Sequence, residues 1–343
     1  MTTSVHFHGG HTHSSPPAPA SDLTDAVAPD IRLDGRVGTA GNRIFAALAG
    51  GAGILILATL AAVAIFLAIE AWPALTDSSA RFRAMGQAQP VSLLALTGPQ
   101  LFGTVLGAVL AMVLAVPLSV GIALFITQYA PARLAGFLAA VIDLLAAIPS
   151  VVFGLWGGLW LLPKLAGVWT GMREALAWLP IGTTPASPTG RVLASAAVIL
   201  AVMIIPIVTA ISRDIFAQTP RSMHEAALAL GATTWERLKL AVLPYGRSGI
   251  ISASMLGLGR ALGETMAVVM VLSVGATYSF DVFASGAHST IAANIALQFP
   301  EASGLTMSAL IATGLALFAV TMVVNMLARL IIARTRAYSG ANA

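Results

Sequence analysis

The chain has 343 residues, 57% hydrophobic and only 9% charged, where soluble domains carry roughly a quarter charged residues; by composition it is a membrane protein. Its pI near 10.0 rests on a formal excess of only +4. Much of that excess sits in loops, where membrane proteins keep positive charge, so nucleic acid is not an expected partner. Cysteine is absent, which excludes disulfides, thiolate metal sites and thiol nucleophiles.

Residues 1–43 are polar and rich in Pro, Gly, Ser and Asp, without the short basic start of a cleavable signal, and are expected to form a disordered tail. The cluster HFHGGHTH brings His6, His8, His11 and His13 together, a pattern with metal-binding chemistry. Nothing apolar nearby would hold four imidazoles in fixed geometry, so a low-complexity tail rather than a metal site is expected. Spanning a hydrocarbon core takes roughly 20 apolar residues. Six stretches meet that requirement, at about 44–69, 101–126, 135–162, 191–212, 248–273 and 305–332, which makes the chain an all-α polytopic membrane protein of six transmembrane helices. Segments 70–100, 163–190 and 274–304 hold Pro73, Pro163, Pro185, Pro188 and Gly286 and are expected to be loops on one side. The expected organisation is a tail (1–43), a first span and outer loop (44–100), a main membrane domain (101–332) and a C-terminal tail (333–343).

Lys and Arg set the orientation, because positive loops stay in the cytoplasm. With the N-terminus inside, the inner segments hold Arg32, Arg36, Arg43, Arg133, Arg213, Arg221, Arg237, Lys239, Arg247, Arg329, Arg334 and Arg336, against Arg81, Arg83, Lys164, Arg173 and Arg191 outside. Both termini are therefore expected in the cytoplasm. No internal repeat is visible, so the inverted halves of many secondary transporters find no support.

The longest inner loop, 213–247, reads as two short helices. Pro220 suits a first helical position, and Ser222 with Glu225 fits a capping box. Met223, Ala226, Ala227 and Leu230 then share an apolar face, and Gly231 supplies a left-handed C-cap. Thr233 with Glu236 offers a second capping box, for a helix expected to end near Pro244. Such a hairpin either rests on the membrane surface or docks its apolar face into a groove on a soluble partner.

The fifth stretch contains GLGRALGETM, Gly257 to Met266, with a full positive and a full negative charge in an otherwise apolar run. Each costs about 2.5 to 3.5 kcal/mol at mid-membrane on insertion scales, so both must face the bundle interior or a water-filled path. At four residues' separation Arg260 and Glu264 share a helix face and are placed to pair. Arg before Glu is the weaker order for an isolated helix, so intrahelical stabilisation alone explains the spacing poorly. Two readings remain: a neutral pair locking the helix to a neighbour, or a lining of the translocation path in which Arg attracts an oxyanion and Glu tunes or gates it. Gly259 and Gly263 form a small-xxx-small ridge for close helix approach. In the third stretch Asp143 lies about 12 Å beyond its helix start, against about 18 Å for Arg260. Its two readings are a pathway group or a carboxylate hydrogen-bonded to neighbouring helices near the cytoplasmic face. Pro149 is placed to kink that helix, with Ser150 near to satisfy a freed backbone group.

EAALALGATTWERLKLAVLP resembles the EAA motif of permease subunits in bacterial ABC importers. Glu225, Ala226, Ala227, Gly231, Leu243 and Pro244 match, and Ala241 stands where the pattern has Ile. GRALGETMAVVMV and VIDLLAAIPSVVFGLWGGLW are similar to segments of the PstC-type permeases of the bacterial phosphate importer; Met266 and Ala267 stand where the sister permease has Ala-Pro. The resemblance covers residues 101–332.

It implies a type I ABC importer permease with a MetI-like core in the bacterial inner membrane, moving inorganic phosphate into the cytoplasm by alternating access. It also implies a PstA-type second permease as heterodimer partner, a PstB-type cytoplasmic ATPase dimer and a PstS-type external phosphate-binding protein. Arg260 and Glu264 map onto the residues implicated in phosphate passage, and 213–247 onto the ATPase-coupling loop. The chain has no G-x-x-x-x-G-K-[ST] loop, so it is expected to be no enzyme itself and to need no cofactor. Other readings are a permease for sulfate, molybdate or phosphonate, the sister permease, or a secondary transporter or channel. A membrane-embedded enzyme is weakly supported, since outside the tail only His224 and His288 occur, flanking opposite faces.

Overall fold

A computed structural model describes residues 39–84, 86–175 and 187–340. Residues 1–38, with the histidine cluster, and Pro185 lie outside the described residues. The chain divides into two units, residues 1–59 and 60–343. The described part of the first is the apolar, exposed N-terminal portion of helix α1 (Thr39–Thr76). Helicity from Thr39 places the end of the expected tail inside α1.

The second unit is built around α6 (Leu193–Ala217), whose apolar window is 67% buried, far more than that of the other four apolar spans. Its principal neighbour is α2 (Leu93–Leu124), which ends in a π-helical turn, Phe125–Tyr129. On α2 a buried residue recurs every four positions: Gly103, Gly107, Ala111, Ala115, Ser119 and Ala123. This flat ridge lets the α6 side chains seat against the α2 backbone; a Cβ added at Gly107 would stand 3.1 Å from Leu193 Cδ1. Inside lipid no hydrophobic force separates protein from tails, so close packing and hydrogen bonds must hold such a pair. Hydrogen bonds are present: Ser119 Oγ donates to the Ile205 carbonyl (3.2 Å) and Thr209 Oγ1 to the Ser119 carbonyl (3.4 Å).

The third apolar stretch does not form one helix. α3 (Ala132–Ala146) stops before Pro149, which N-caps α4 (Ser150–Trp156). Proline disfavours helical geometry in the residue before it and lacks the N–H a continuing helix needs, so it breaks the stretch rather than kinking it. α4 runs through a π turn (Gly157–Leu161) into α5 (Leu162–Ala175), which corrects the expected loop from residue 163. Pro163 follows that π turn directly, where the regular hydrogen-bond ladder is already interrupted and a missing N–H is accommodated.

The inner loop forms α7 (Arg221–Ala229) and α8 (Thr234–Arg237). Helical structure then continues through a π turn (Leu238–Val242) into α9 (Leu243–Gly263), with Pro244 in its first turn, so the expected stop near Pro244 is absent. The wide π turn marks the place where this long rod takes up a proline. After Gly263 the rod ends; α10 (Met266–Val271) follows, then an extended passage to α11 (Ile291–Gln298), a 3₁₀ turn and α12 (Leu305–Gly340). The C-terminal segment is thus helical to Gly340. Among the described residues, five helical stretches are long and apolar enough to cross a membrane; the charged α9 is the further helix seated between α6 and α12.

A substitution pair tests the α2 ridge. Ala111→Leu should push α2 from α6 and destabilise by about 1 to 3 kcal/mol, seen as a lower thermal midpoint in detergent. Val113→Leu, on the exposed face of α2, should leave the midpoint unchanged.

Candidate functional site

Arg260 and Glu264 do not form the expected i,i+4 pair. Glu264 is the C-cap of α9, with φ −70 and ψ 125, so the helix unwinds between the two side chains. Glycine at 263 weakens the last turn, and the Glu264 carboxylate turns to the next helix, where Oε1 accepts from the Ala267 N–H at 3.3 Å. Glu264 is only 8% exposed. Among the described residues Arg260 has no carboxylate partner, and its Nε is buried without a hydrogen bond. The guanidinium lines a cavity of about 760 Å³ together with Ala146, Ile207, Ser252, Met255, Leu256, Gly259 and Asn325.

A half-buried charge among apolar helices without a counter-charge is costly, and a cavity that admits water or an anion offsets that cost. The break at Gly263–Glu264 also lies beside a second break. α10 packs on α4, and a Cβ at Gly154 would stand 2.9 Å from Ala267 Cα. Discontinuous helices of this kind at membrane depth are tolerated where they are buried in protein or line a cavity.

The Gly259–Gly263 ridge is not used for packing within the described residues, since a Cβ at either position would meet nothing within 4 Å. α9 packs instead through the face bearing Gly246, Gly249, Ala253 and Gly257; a Cβ at Gly257 would stand 2.7 Å from Ile204 Cγ2. Asp143 is joined to Arg213 of α6 at 3.2 Å, while Arg213 also holds Asp214 at 2.9 Å. Ala146, one turn along α3 from Asp143, reaches the Arg260 cavity. The structure therefore brings Arg260, Gly259 and the α3 wall together and gives Asp143 to a different arginine.

The inner hairpin differs from expectation at its start. Pro220 is the N-cap rather than the first helical residue, and no side-chain cap forms there, so the Ser222–Glu225 box is absent. The second box is complete: Thr233 Oγ1 accepts from the Glu236 N–H (3.4 Å) and Glu236 Oε2 accepts from the Thr233 N–H (2.8 Å). These bonds hold the Glu236 carboxyl below its ordinary pKa. Gly231 adopts φ +77 between α7 and α8, the left-handed turn expected of it. Ala227 is buried, but Leu230 (86% exposed), Leu228 and Trp235 stand in the open, and Glu225 and Ala226 are exposed with them. Leu243 and Pro244 open α9 directly below.

On the opposite end of the bundle, Arg173 of α5 is ion-paired with Asp281, and Trp169 Nε1 donates to Ser195 Oγ at 2.7 Å. His288 is buried here, which lowers its pKa despite a 2.7 Å contact from Nε2 to the Ser279 carbonyl. Sequence reading treated this region as plain loop and missed Asn325, although a lone amide in the apolar stretch 305–332 was a visible signal.

The family model described as "Binding-protein-dependent transport system inner membrane component" matches residues 103–337. The chain belongs to that family. Relatives include the phosphate transport system permease protein PstC 2 of Mycobacterium tuberculosis, 44% identical over 88% of this chain and 94% of that protein. PstC of Mesorhizobium japonicum is 39% identical, covering 88% and 92%, and PstC of Haemophilus influenzae 35% identical, covering 84% and 91%. Among solved structures, a chain of the inward-facing MetNI methionine ABC transporter aligns with a TM-score of 0.52 at 13% identity, over 71% of this chain and 97% of its own, which shows the fold. The expected MetI-like, all-α permease architecture is therefore the observed one, and this family member is a multi-pass membrane protein.

The hairpin cap has a testable pH dependence. Because Glu236 is depressed in the folded chain, its contribution is complete above the ordinary Glu pKa of about 4.3 and fades as pH falls through the lower folded value. The hydrogen-exchange protection factors of the Thr233 and Glu236 amides, taken against the intrinsic rate at each pH, should fall below about pH 4. Thr233→Ala should produce the same loss of protection at neutral pH.

Proposed function

We propose that this chain is the PstC-type permease subunit of an ATP-driven importer, and that it passes inorganic phosphate along a route lined by Arg260. The observation that carries the reading is the arginine itself: a guanidinium inside the membrane domain, without a carboxylate partner among the described residues and facing a cavity. Its planar fork suits a tetrahedral oxyanion. Support for phosphate comes from relatives at 35% to 44% identity that are named phosphate transport permeases. Glu264, at the helix break, is placed to balance or gate that charge, and Asp143 borders the route through the α3 wall.

In this reading ATP is hydrolysed by a separate cytoplasmic ATPase dimer of PstB type, contacted by α7 and α8 through Glu225, Ala226, Ala227 and Gly231. The exposed Leu228, Leu230 and Trp235 supply an apolar face for a groove, and Leu243 and Pro244 join the hairpin to α9. A PstA-type permease completes the pathway, with the unfilled Gly259–Gly263 face as one approach surface. A PstS-type protein delivers phosphate from outside, and both termini lie in the cytoplasm, in keeping with the positive charge of the inner segments.

Uptake of labelled phosphate by the assembled complex in liposomes tests this. Arg260→Gln should lower ATP-dependent uptake roughly tenfold or more, the scale of one charge-assisted hydrogen bond, with the complex intact. Normal uptake by that variant would make Arg260 structural. Full competition by sulfate would reassign the substrate.

A further inference from the structure

The Arg260 cavity is not isolated. A second cavity, of about 920 Å³, adjoins it and has Arg329 in its lining. The two share Ser252, Met255 and Asn325. α9 leaves the inner hairpin at Leu243 and α12 returns toward that side, so Ser252 and Arg329 lie nearer the hairpin than Arg260 does. Ser252 is about 12 Å along α9 from Arg260 at 1.5 Å per residue. The linings of the two cavities thus hold an arginine at each end, a hydroxyl and an amide where they meet, and no carboxylate.

The two shared polar side chains have unequal hydrogen-bonding capacity. Ser252 Oγ donates its proton to the Ser248 carbonyl at 2.9 Å, so toward the cavity it presents lone pairs. Asn325 is exposed to the cavity with its amide unbonded among the described residues, and it offers donors at Nδ2 and an acceptor at Oδ1. An anion with no proton finds one donor group and two acceptors here, which is a poor match. An oxyanion that carries its own O–H finds partners for both functions. Near neutral pH inorganic phosphate keeps at least one P–OH, whereas sulfate keeps none. A neutral junction between two arginines also meets the requirement of conduction, that an ion be held well enough to enter and weakly enough to leave.

We infer that Ser252 and Asn325 form a second station for a protonated oxyanion, between Arg260 and Arg329, and that their acceptor atoms favour phosphate over sulfate. This rests on the reading of Arg260 as part of the path. The shared chemistry, a phosphate oxygen near an arginine, also describes a phospholipid headgroup with its chains along Phe318 and Met322, and the test separates the two sources.

The chain has no cysteine, so Met255→Cys, in both linings, and Thr321→Cys, in the second, each introduce one reactive thiol beside the station while leaving Ser252 and Asn325 in place. In the full complex in nanodiscs, both should react with an anionic thiosulfonate reagent. Inorganic phosphate at roughly ten times its dissociation constant should slow the reaction about tenfold, as site occupancy requires. Sulfate at equal concentration should change it little, and Arg260→Gln in the same background should weaken the protection. Four outcomes overturn the inference: no reaction at either thiol, no protection by phosphate, equal protection by sulfate, or protection that follows anionic phospholipid content rather than added phosphate. Uptake by Arg260→Gln is read separately. If it is lost while phosphate protects neither cysteine, the second station fails and the path reading stands; if it is normal, the path reading fails first.

Discussion

The close approach of α2 to α6 is the constraint on which the rest of the molecule depends. Six small residues at four-residue spacing leave α2 with a nearly flat face, and α6 packs along it, with the buried Leu193 side chain against Gly107 and with Ser119 and Thr209 bonded across the pair. Because lipid chains are as apolar as these side chains, burial alone does not drive the pair together, and van der Waals contact at short range must. Once α6 is fixed, α9 seats on it and on α2 through Gly246, Gly249 and Gly257, again by omitting side chains where the partner is large. The consequence is a rigid inner layer against which other helices are free to break. Both breaks, at Pro149 and at Gly263–Glu264, occur in helices whose neighbouring turns pack on that layer or on each other.

The charges divide into two kinds by what faces them. Arg213 holds Asp143 and Asp214, and Arg173 holds Asp281; each arginine carries its counter-charge and serves to tie elements together. Arg260 has no carboxylate in reach among the described residues, although Glu264 lies only four positions on, because the backbone turns between them. The helix break thus separates two charges that an intact helix would have allowed to neutralise. A carboxylate used as a helix cap and a guanidinium left facing a cavity are two results of one backbone change.

Sequence reading located the apolar stretches, the hairpin, the Gly231 turn and the Thr233–Glu236 box because each is a local pattern with a local cause. Pro163 and Pro244 follow π turns inside continuing helices, and in the sequence a proline so placed looks like one that stops a helix. Within the described residues Gly259 and Gly263 share a face with nothing against them, while Gly246, Gly249 and Gly257 lie on another face of the same helix and pack there. Spacing identifies a ridge, but only the position of a neighbour says which ridge is used. The i,i+4 pairing of Arg260 and Glu264 failed for a similar reason, because periodicity presumes a continuous helix. Asn325 was legible as a lone amide in an apolar span, yet its relation to Ser252 is a tertiary fact.

The hairpin and the charged site belong to one element. From Thr234 through the π turn and α9 to Gly263 the backbone is helical without interruption, so Arg260 stands about 39 Å along a single rod from the start of α8. A helix resists axial compression far better than a loop of the same length, so displacement of α9 beyond the π turn is carried along to Arg260 rather than absorbed. Compliance is concentrated where the regular hydrogen-bond ladder changes, at Leu238–Val242 beside Pro244 and at the unwound Gly263–Glu264. The matched residues of the hairpin, Glu225 to Pro244, therefore end at the first of these points, and the charges lie at the second. A motif that ended elsewhere, or a loop in place of the rod, would leave the two without a mechanical connection.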